Sequence, residues 1–347
     1  FAQKHGGGNG VAVCNATAAL HIACLALGVG PGDRVWTSPN SFVASANCAR
    51  FCGGTVDFVD IDPATRNMSV SALAEKLADA EREGALPKVV IPVDFSGLPA
   101  EMPEIRKLAN QYGFAIIQDS SHAVGAQIDN SPVGARFADI AVFSFHPVKI
   151  LTTGEGGLCL TLNAELADKL RLYRSHGVTR NPALLTRDVD GPWYYEQVAL
   201  GFNYRITDIQ AALGTSQLGK LDGLYERREI LSRRYDEKLA GSFRGRPARI
   251  DGYRSAHHLY VIETIEGESA MDRSALFQHL LDRGIRPNVH YIPIHTQPDY
   301  LKLGFATGMF SASEQYYANA ITIPLYPELT EDEQDWVVNA LQEGLGG

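Results

Sequence analysis

The chain has 347 residues, 45% of them hydrophobic and 20% charged, with a formal charge of −9 at pH 7. Those values describe a globular chain long enough for a large core and two domains. The acidic balance argues against a nucleic-acid partner, which needs a basic face, and no apolar stretch is long enough for a transmembrane helix. Five cysteines (Cys14, Cys24, Cys48, Cys52 and Cys159) form no CxxC pair. They read as buried free thiols rather than metal ligands, in a reducing, cytoplasmic protein. No secretory signal precedes Val11 and no Met precedes Phe1, so a further upstream segment is expected.

In chain order, residues 11–14 read as a first strand and 17–27 as a helix that stops at the glycines of 28–32. Residues 34–37 form a second strand, 42–51 a second helix, and 55–59 begin a third unit. Strands at 89–93, 114–117 and 140–145 and a helix at 102–112 continue the alternation. This rhythm predicts a mostly parallel sheet covered by helices. Residues 206–239 read as one long charge-rich helix, followed by a strand at 259–265 and helices near 274–281 and after 331. A domain boundary is expected in the long helix, dividing residues 1–222 from 223–347.

Two apolar strands end in chemistry. Residues 114–117 are closed by Gln118-Asp119, and 140–145 by the turn His146-Pro147-Val148-Lys149. Ligands of open α/β sheets bind at the C-terminal strand ends. A carboxylate and an amine delivered to one sheet edge suit pyridoxal phosphate (PLP): the amine forms a Schiff base, and the carboxylate holds the pyridine nitrogen protonated. Asn15-Ala16-Thr17-Ala18 opens the first helix directly after a strand, where free N–H groups receive a phosphate, although Asn15 or Thr17 is equally read as an N-cap. Gly6, Gly7, Gly8 and Gly10 precede that strand, on the wrong side for a GxGxxG fingerprint. No GxSxG elbow occurs, so His5-Gly6-Gly7-Gly8 is not an esterase oxyanion loop.

The segments Asn15-Ala16-Thr17-Ala18-Ala19-Leu20-His21, Asp119-Ser120-Ser121-His122, Ser144-Phe145-His146-Pro147-Val148-Lys149, Thr152-Thr153-Gly154-Glu155-Gly156-Gly157 and Gly201-Phe202-Asn203-Tyr204-Arg205-Ile206-Thr207-Asp208 together resemble the DegT-type sugar aminotransferases, in that family's order. The resemblance implies a type I PLP-dependent aminotransferase fold, with a mostly parallel sheet between helices and a smaller C-terminal α+β domain. It implies that Lys149 carries the cofactor, Asp119 faces the pyridine nitrogen and His122 lies near the ring hydroxyl. Phe42 would stack on the ring, and Ser144 with the N–H groups of Thr17 and Ala18 would hold the phosphate. Asn203 would reach the phosphate of a second subunit, making a homodimer the working unit. Each has a plainer reading: Phe42 as core, His122 as a satisfied polar group, Asn203 as a turn residue.

The resemblance further implies L-glutamate as amino donor and, as acceptor, a UDP-linked 4-keto-6-deoxy-N-acetylhexosamine. Arg286 is the last arginine, which leaves a carboxylate clamp hard to place late in the chain. His290, Tyr291, His295 and Gln297 suit hydroxyls and an N-acetyl group, Trp193, Tyr194 and Tyr195 offer flat faces to a uracil, and Arg205 joins them as a candidate substrate contact. Three aromatics in a row are more often packing. Gln118 and Ser120-Ser121 depart from the family's usual acidic residue and Ala-Ala. Relatives begin earlier, and their extra segment helps line the acceptor site. Another nucleotide keto sugar, or a regulator that binds PLP without catalysis, stays open; a dehydratase on the same scaffold would lack Lys149. No metal is expected.

Overall fold

The computed structural model describes residues 1–243, 245–264 and 271–345; Ile265, the expected end of the strand at 259–265, lies outside them. Seven strands form the central sheet: β1 Asn9–Val13, β2 Arg34–Thr37, β3 Thr55–Phe58, β4 Val89–Ile91, β5 Ala115–Asp119, β6 Ile140–Ser144 and β7 Gly157–Thr161. Their spatial order is β1-β7-β6-β5-β4-β2-β3. β2, β3, β4, β5 and β6 pair in parallel, while β7 runs antiparallel to both β6 and β1. Every residue of β6 is buried, as are Ile116 to Asp119 of β5. Strands covered on both faces need apolar residues at every position, which is why these read as continuous runs. Each fully buried Ile or Val contributes about 1.5–3 kcal/mol relative to exposure.

The helices of this unit are α1 Ala16–Ala26, α2 Ala44–Phe51, α3 Val70–Glu83, α4 Met102–Tyr112 and α5 Ala164–Arg174. α4 buries Met102, Ile105 and Ala109, the three- and four-residue spacing of one helical face. α1 is buried almost throughout and packs against α2 and the sheet. Gly157 permits its approach: a Cβ there would lie 2.7 Å from Ala16 N. All five cysteines are free, with Cys24, Cys48 and Cys159 buried.

The single long helix expected at 206–239 is two: α6 Asp208–Leu218 and α7 Leu221–Lys238. Leu221 packs beneath β6 with Phe143 and Ile150, whereas Leu231 and Tyr235 belong to a second core with Tyr260, Leu276, Ile321 and Leu341. The chain bends at Gly219-Lys220, so Leu221 faces the first core while α7 runs on into the second. That second core sits between α7, an antiparallel pair of strands (Tyr260–Glu263 with Ala320–Ile323) and the helices Arg273–Asp282 and Glu331–Leu345.

The chain then crosses back. Ile294, Tyr300 and Phe310 are buried in the first core beside Phe58, and the Ile294 N–H donates to Pro39 O at 2.9 Å. A cut at residue 222 therefore does not separate the two cores, because residues 294–310 rejoin the N-terminal unit. This return carries Tyr291 onto the edge of the parallel sheet.

Candidate active site

The end of β5, the turn after β6 and the N-terminus of α1 enclose a cavity of about 470 Å³. Thr17, Phe42, Asp119, His122, Ser144, Lys149 and Tyr291 all line it. Parallel strands ending side by side bring Asp119 and Lys149 together, although 29 residues of chain separate them.

The Asp119 carboxylate is buried and held from two directions. Oδ2 accepts from Ser45 Oγ at 2.6 Å, and Oδ1 accepts from Ser121 N at 3.1 Å and Ser121 Oγ at 2.5 Å. Ser45 reaches it from the first turn of α2, its hydroxyl 2.8 Å from that of Ser41 in the segment leading into the helix. The sequence pointed to neither as a support for Asp119: Ser121 stood out only as part of the Ser120-Ser121 departure from Ala-Ala, and Ser45 only by its four-residue spacing from Ser41.

Lys149 is different. Burial pushes its amine down to about 8, while the nearby Asp119 pulls it the other way. Among the described residues the amine has no hydrogen-bond or ion-pair partner. Burial costs a cation more than a neutral amine, so a free base, the nucleophilic form, is available close to neutral pH.

His122 Nε2 lies 3.1 Å from the Tyr291 hydroxyl, and its Nδ1 is buried with no partner. Burial first, then Lys149 and His290, holds His122 well below the usual imidazole range. His258 packs on it with ring centroids 4.4 Å apart and is held low for the same first reason. His290 bonds Thr322 Oγ1 at 2.9 Å and is pushed by burial to about 4. Burial raises the Tyr291 hydroxyl, with Asp119 adding to the rise. A neutral imidazole, His122, and the protonated phenol of Tyr291 therefore wall this side of the cavity, with His258 and His290 packed outside the lining.

At the phosphate side the N-cap reading of Asn15 holds: its side chain accepts from Ala18 N at 2.8 Å. That corrects the expectation for Ala18, whose N–H is committed to the cap and which does not line the cavity. Asn15, Ala16 and Thr17 do line it, opposite Ser144. The family's cofactor can be tested against these groups. A helix start faces a serine hydroxyl, the buried Nδ1 of His122 lacks a partner, and an amine and a carboxylate share the floor beside the Phe42 ring. The residues fit PLP.

Several expected substrate contacts lie elsewhere. His295 is completely buried and bonds Glu314 at 2.8 Å, packed against Phe310; the returning chain makes it core, which corrects its assignment to a ligand. Gln297 starts the short helix Pro298–Leu301, away from the cavity. Trp193 and Tyr194 lie on the arm between the paired segments Val178–Thr179 and Glu196–Gln197, where Tyr194 Oη donates to Glu196 at 2.8 Å. Arg205 and Asn203 are exposed and outside the cavity of their own chain. His290 stands behind Tyr291 rather than in the lining. His146 and Glu155, not singled out from the sequence, do line the cavity.

Among the described residues no cluster of three or more His, Cys, Asp or Glu could hold a metal ion, and no helix is long and apolar enough to cross a membrane.

Parallel strand ends carrying a lysine and an aspartate, closed by a helix N-terminus, define a PLP-dependent aminotransferase fold. The chain belongs to the DegT/DnrJ/EryC1/StrS aminotransferase family, whose model matches residues 1–342; the family is PLP-dependent. It is 36% identical to the spore coat polysaccharide biosynthesis protein SpsC of Bacillus subtilis, over 100% of this chain and 88% of that one. A DegT DnrJ EryC1 StrS aminotransferase from Brucella abortus superposes with a TM-score of 0.89 at 33% identity, covering 99% of this chain and 88% of that one. Helicobacter pylori PseC, an aminotransferase involved in the biosynthesis of pseudoaminic acid, superposes with a TM-score of 0.86 at 30% identity, covering 97% and 86%.

Proposed function

We propose that this protein transfers an amino group from L-glutamate to C4 of a UDP-linked 4-keto-6-deoxy-N-acetylhexosamine, giving UDP-4-amino-4,6-dideoxy-N-acetyl-β-L-altrosamine. The observation that carries the aminotransferase chemistry is the unpartnered, depressed amine of Lys149 sharing a cavity floor with a fixed Asp119. The nucleotide and sugar rest on the resemblance to PseC, and the donor on the family resemblance.

PLP supplies an electron sink for the carbanion formed at the carbon that loses its proton. The chain's own residues do the rest. Asp119, held by Ser45 and Ser121, would accept from the ring nitrogen. Thr17, Ser144 and the first N–H groups of α1 would hold the phosphate, and Phe42 would pack on the ring. Lys149 Nζ takes the substrate proton as a base and returns it as an acid, a role its pKa near 8 suits. His122 and Tyr291 hold the wall and keep water from that amine.

No arginine lines the cavity among the described residues. A bidentate clamp of the kind that selects amino-acid acceptors is thus not supplied by this lining, which favours an acceptor whose reacting part is a hydroxyl-rich sugar rather than a carboxylate. We also propose a homodimer. α6 buries none of its residues, Ile209 on it is 85% exposed and Leu200 78%, and Asn203 beside them points away from its own cavity.

UDP-, GDP- and dTDP-4-keto sugars offered with glutamate test the reading, scored by 2-oxoglutarate release and by mass of the amino sugar. Turnover of the UDP-N-acetyl substrate above the others is the expected result. Preference for a GDP or dTDP sugar overturns the substrate assignment, and no amino transfer to any of them, even in a single turnover with glutamate, marks a PLP-binding regulator.

A further inference from the structure

We infer that Asp94 is a positioning residue for Asp119, acting through Gln118 and Ser120 from the face of the sheet opposite the cavity; this rests on the reading of Asp119 given above. Asp94 follows β4, is fully buried, and does not line the cavity. Its Oδ1 accepts from Ala100 N at 2.9 Å and Gln118 Nε2 at 3.1 Å. Its Oδ2 accepts from Gln118 Nε2 at 2.9 Å and Ser120 Oγ at 2.7 Å.

Side chains alternate across an extended chain. Asp119 therefore points to the cavity while its two neighbours point behind it, and one carboxyl grips both. The backbones are joined as well: Asp94 N donates to Asp119 O at 3.0 Å, and Asp119 N donates to Pro92 O at 2.9 Å. On the cavity side Ser45 and Ser121 fix the Asp119 oxygens. The aspartate is thus clamped front and back, and its rotation toward a ring nitrogen is set by groups that never touch the ring.

A buried carboxyl is costly to keep. Burial pushes Asp94 up to about 7, and the nearby Asp119 adds to the rise. An apolar residue of similar size would avoid that cost. Of the residues that depart from the family pattern, Gln118 and Ser120 bond Asp94, and Ser121 bonds Asp119 itself. An amide and a hydroxyl both donate to the Asp94 carboxylate, so the grip behind Asp119 needs no acidic residue at position 118.

The test uses the full chain carrying Asp94→Ala, Asp94→Asn, Gln118→Leu or Asp119→Ala, each titrated with PLP. Readouts are PLP affinity, the pH dependence of the bound cofactor's absorbance, and kcat and KM for glutamate. Asp94→Ala and Gln118→Leu should weaken PLP about threefold to tenfold, the worth of a lost hydrogen bond. They should shift the absorbance profile in the same direction as Asp119→Ala but less, and lower kcat with KM little changed. Asp94→Asn, which still accepts from Ala100, should recover part of the loss. If Asp94→Ala does not fold, Gln118→Leu decides alone. Lower melting temperatures with unchanged PLP affinity and absorbance, while Asp119→Ala alters both, would overturn the positioning role alone. No change with Asp119→Ala would overturn the site reading together with it.

Discussion

The two cores of this chain differ in how they treat buried polar groups. Around the second core most are paired, although Arg228 Nε is left without a partner. Arg228, 5% exposed, donates through one nitrogen to the carbonyls of His257, His258 and Leu325 at 3.1, 3.3 and 2.9 Å. Glu229 is held at about 2, first by its bond with His257, and Arg66 pairs with Glu263 across the two units. Around the cavity, among the described residues, the Lys149 amine and His122 Nδ1 are left without partners. Burying a polar group without a partner costs free energy, so unpaired groups gathered about one cavity mark where a ligand completes the set, as an isolated one such as Arg228 Nε does not.

Four changes would break or sharpen that contrast. The largest effect belongs to Lys149→Ala, which should cut turnover by at least roughly 10²–10⁴-fold, the proton-transfer contribution alone. Borohydride reduction of the PLP-loaded wild-type protein should fix the cofactor to the peptide containing Lys149. Mass spectrometry finding it on another lysine would remove Lys149 from its role.

Arg228→Met should act on stability instead. Leaving buried carbonyls unsatisfied costs ~1–3 kcal/mol, so the denaturant midpoint should fall while PLP affinity of the folded protein stays constant. A change in PLP affinity without loss of stability would mean that the second core is not a purely structural region.

Asn203→Ala tests the shared site. One hydrogen bond to a charged group is worth about 1.5–3 kcal/mol, so PLP retention should fall but be overcome by excess cofactor. Mixed with Lys149→Ala under limiting PLP, after confirmed subunit exchange, it should regain partial activity, since one cavity then holds Lys149 and the partner's intact Asn203. A mixture no better than the two variants apart would leave Asn203 a turn residue of its own subunit.

The smallest effect is on pH. Loading requires the neutral amine of Lys149, whose pKa lies near 8, so the rate of PLP uptake should rise roughly tenfold between pH 7 and pH 9 and then level. The same depression below the usual 10.5 means that the folded, cofactor-free protein gains stability from this group as pH rises from about 8 toward 10.5, because the unfolded chain binds the extra proton there. An uptake rate flat across that range would show that the amine is not the titrating group.

Much of this was legible in the sequence, because local rules govern it. Strands buried on both faces must be apolar at every position, so β5 and β6 announced themselves, and with them Asp119 and Lys149 at their ends. The start of α1 was readable as either a cap or a phosphate seat; Asn15 is the cap, and Thr17 lines the cavity. The family motifs placed Phe42, His122 and Ser144, which the fold brings to one cavity.

The rest depended on packing between distant segments. Nothing in the run Asn288-Val289-His290-Tyr291-Ile292-Pro293-Ile294-His295 says which histidine meets solvent. The return of residues 294–310 onto the first core buries His295 against Glu314 and sets Tyr291 on His122. The split of α6 from α7 has the same origin, since Leu221 and Leu231 answer to different cores. Asp94 and Ser45 are invisible for a related reason: 24 and 73 residues separate them from Asp119, and only the parallel register of β4 and β5, with α2 laid beside them, puts their side chains on its two faces. Periodicity records which side of an element is buried; which partner it is buried against is decided when the whole chain closes.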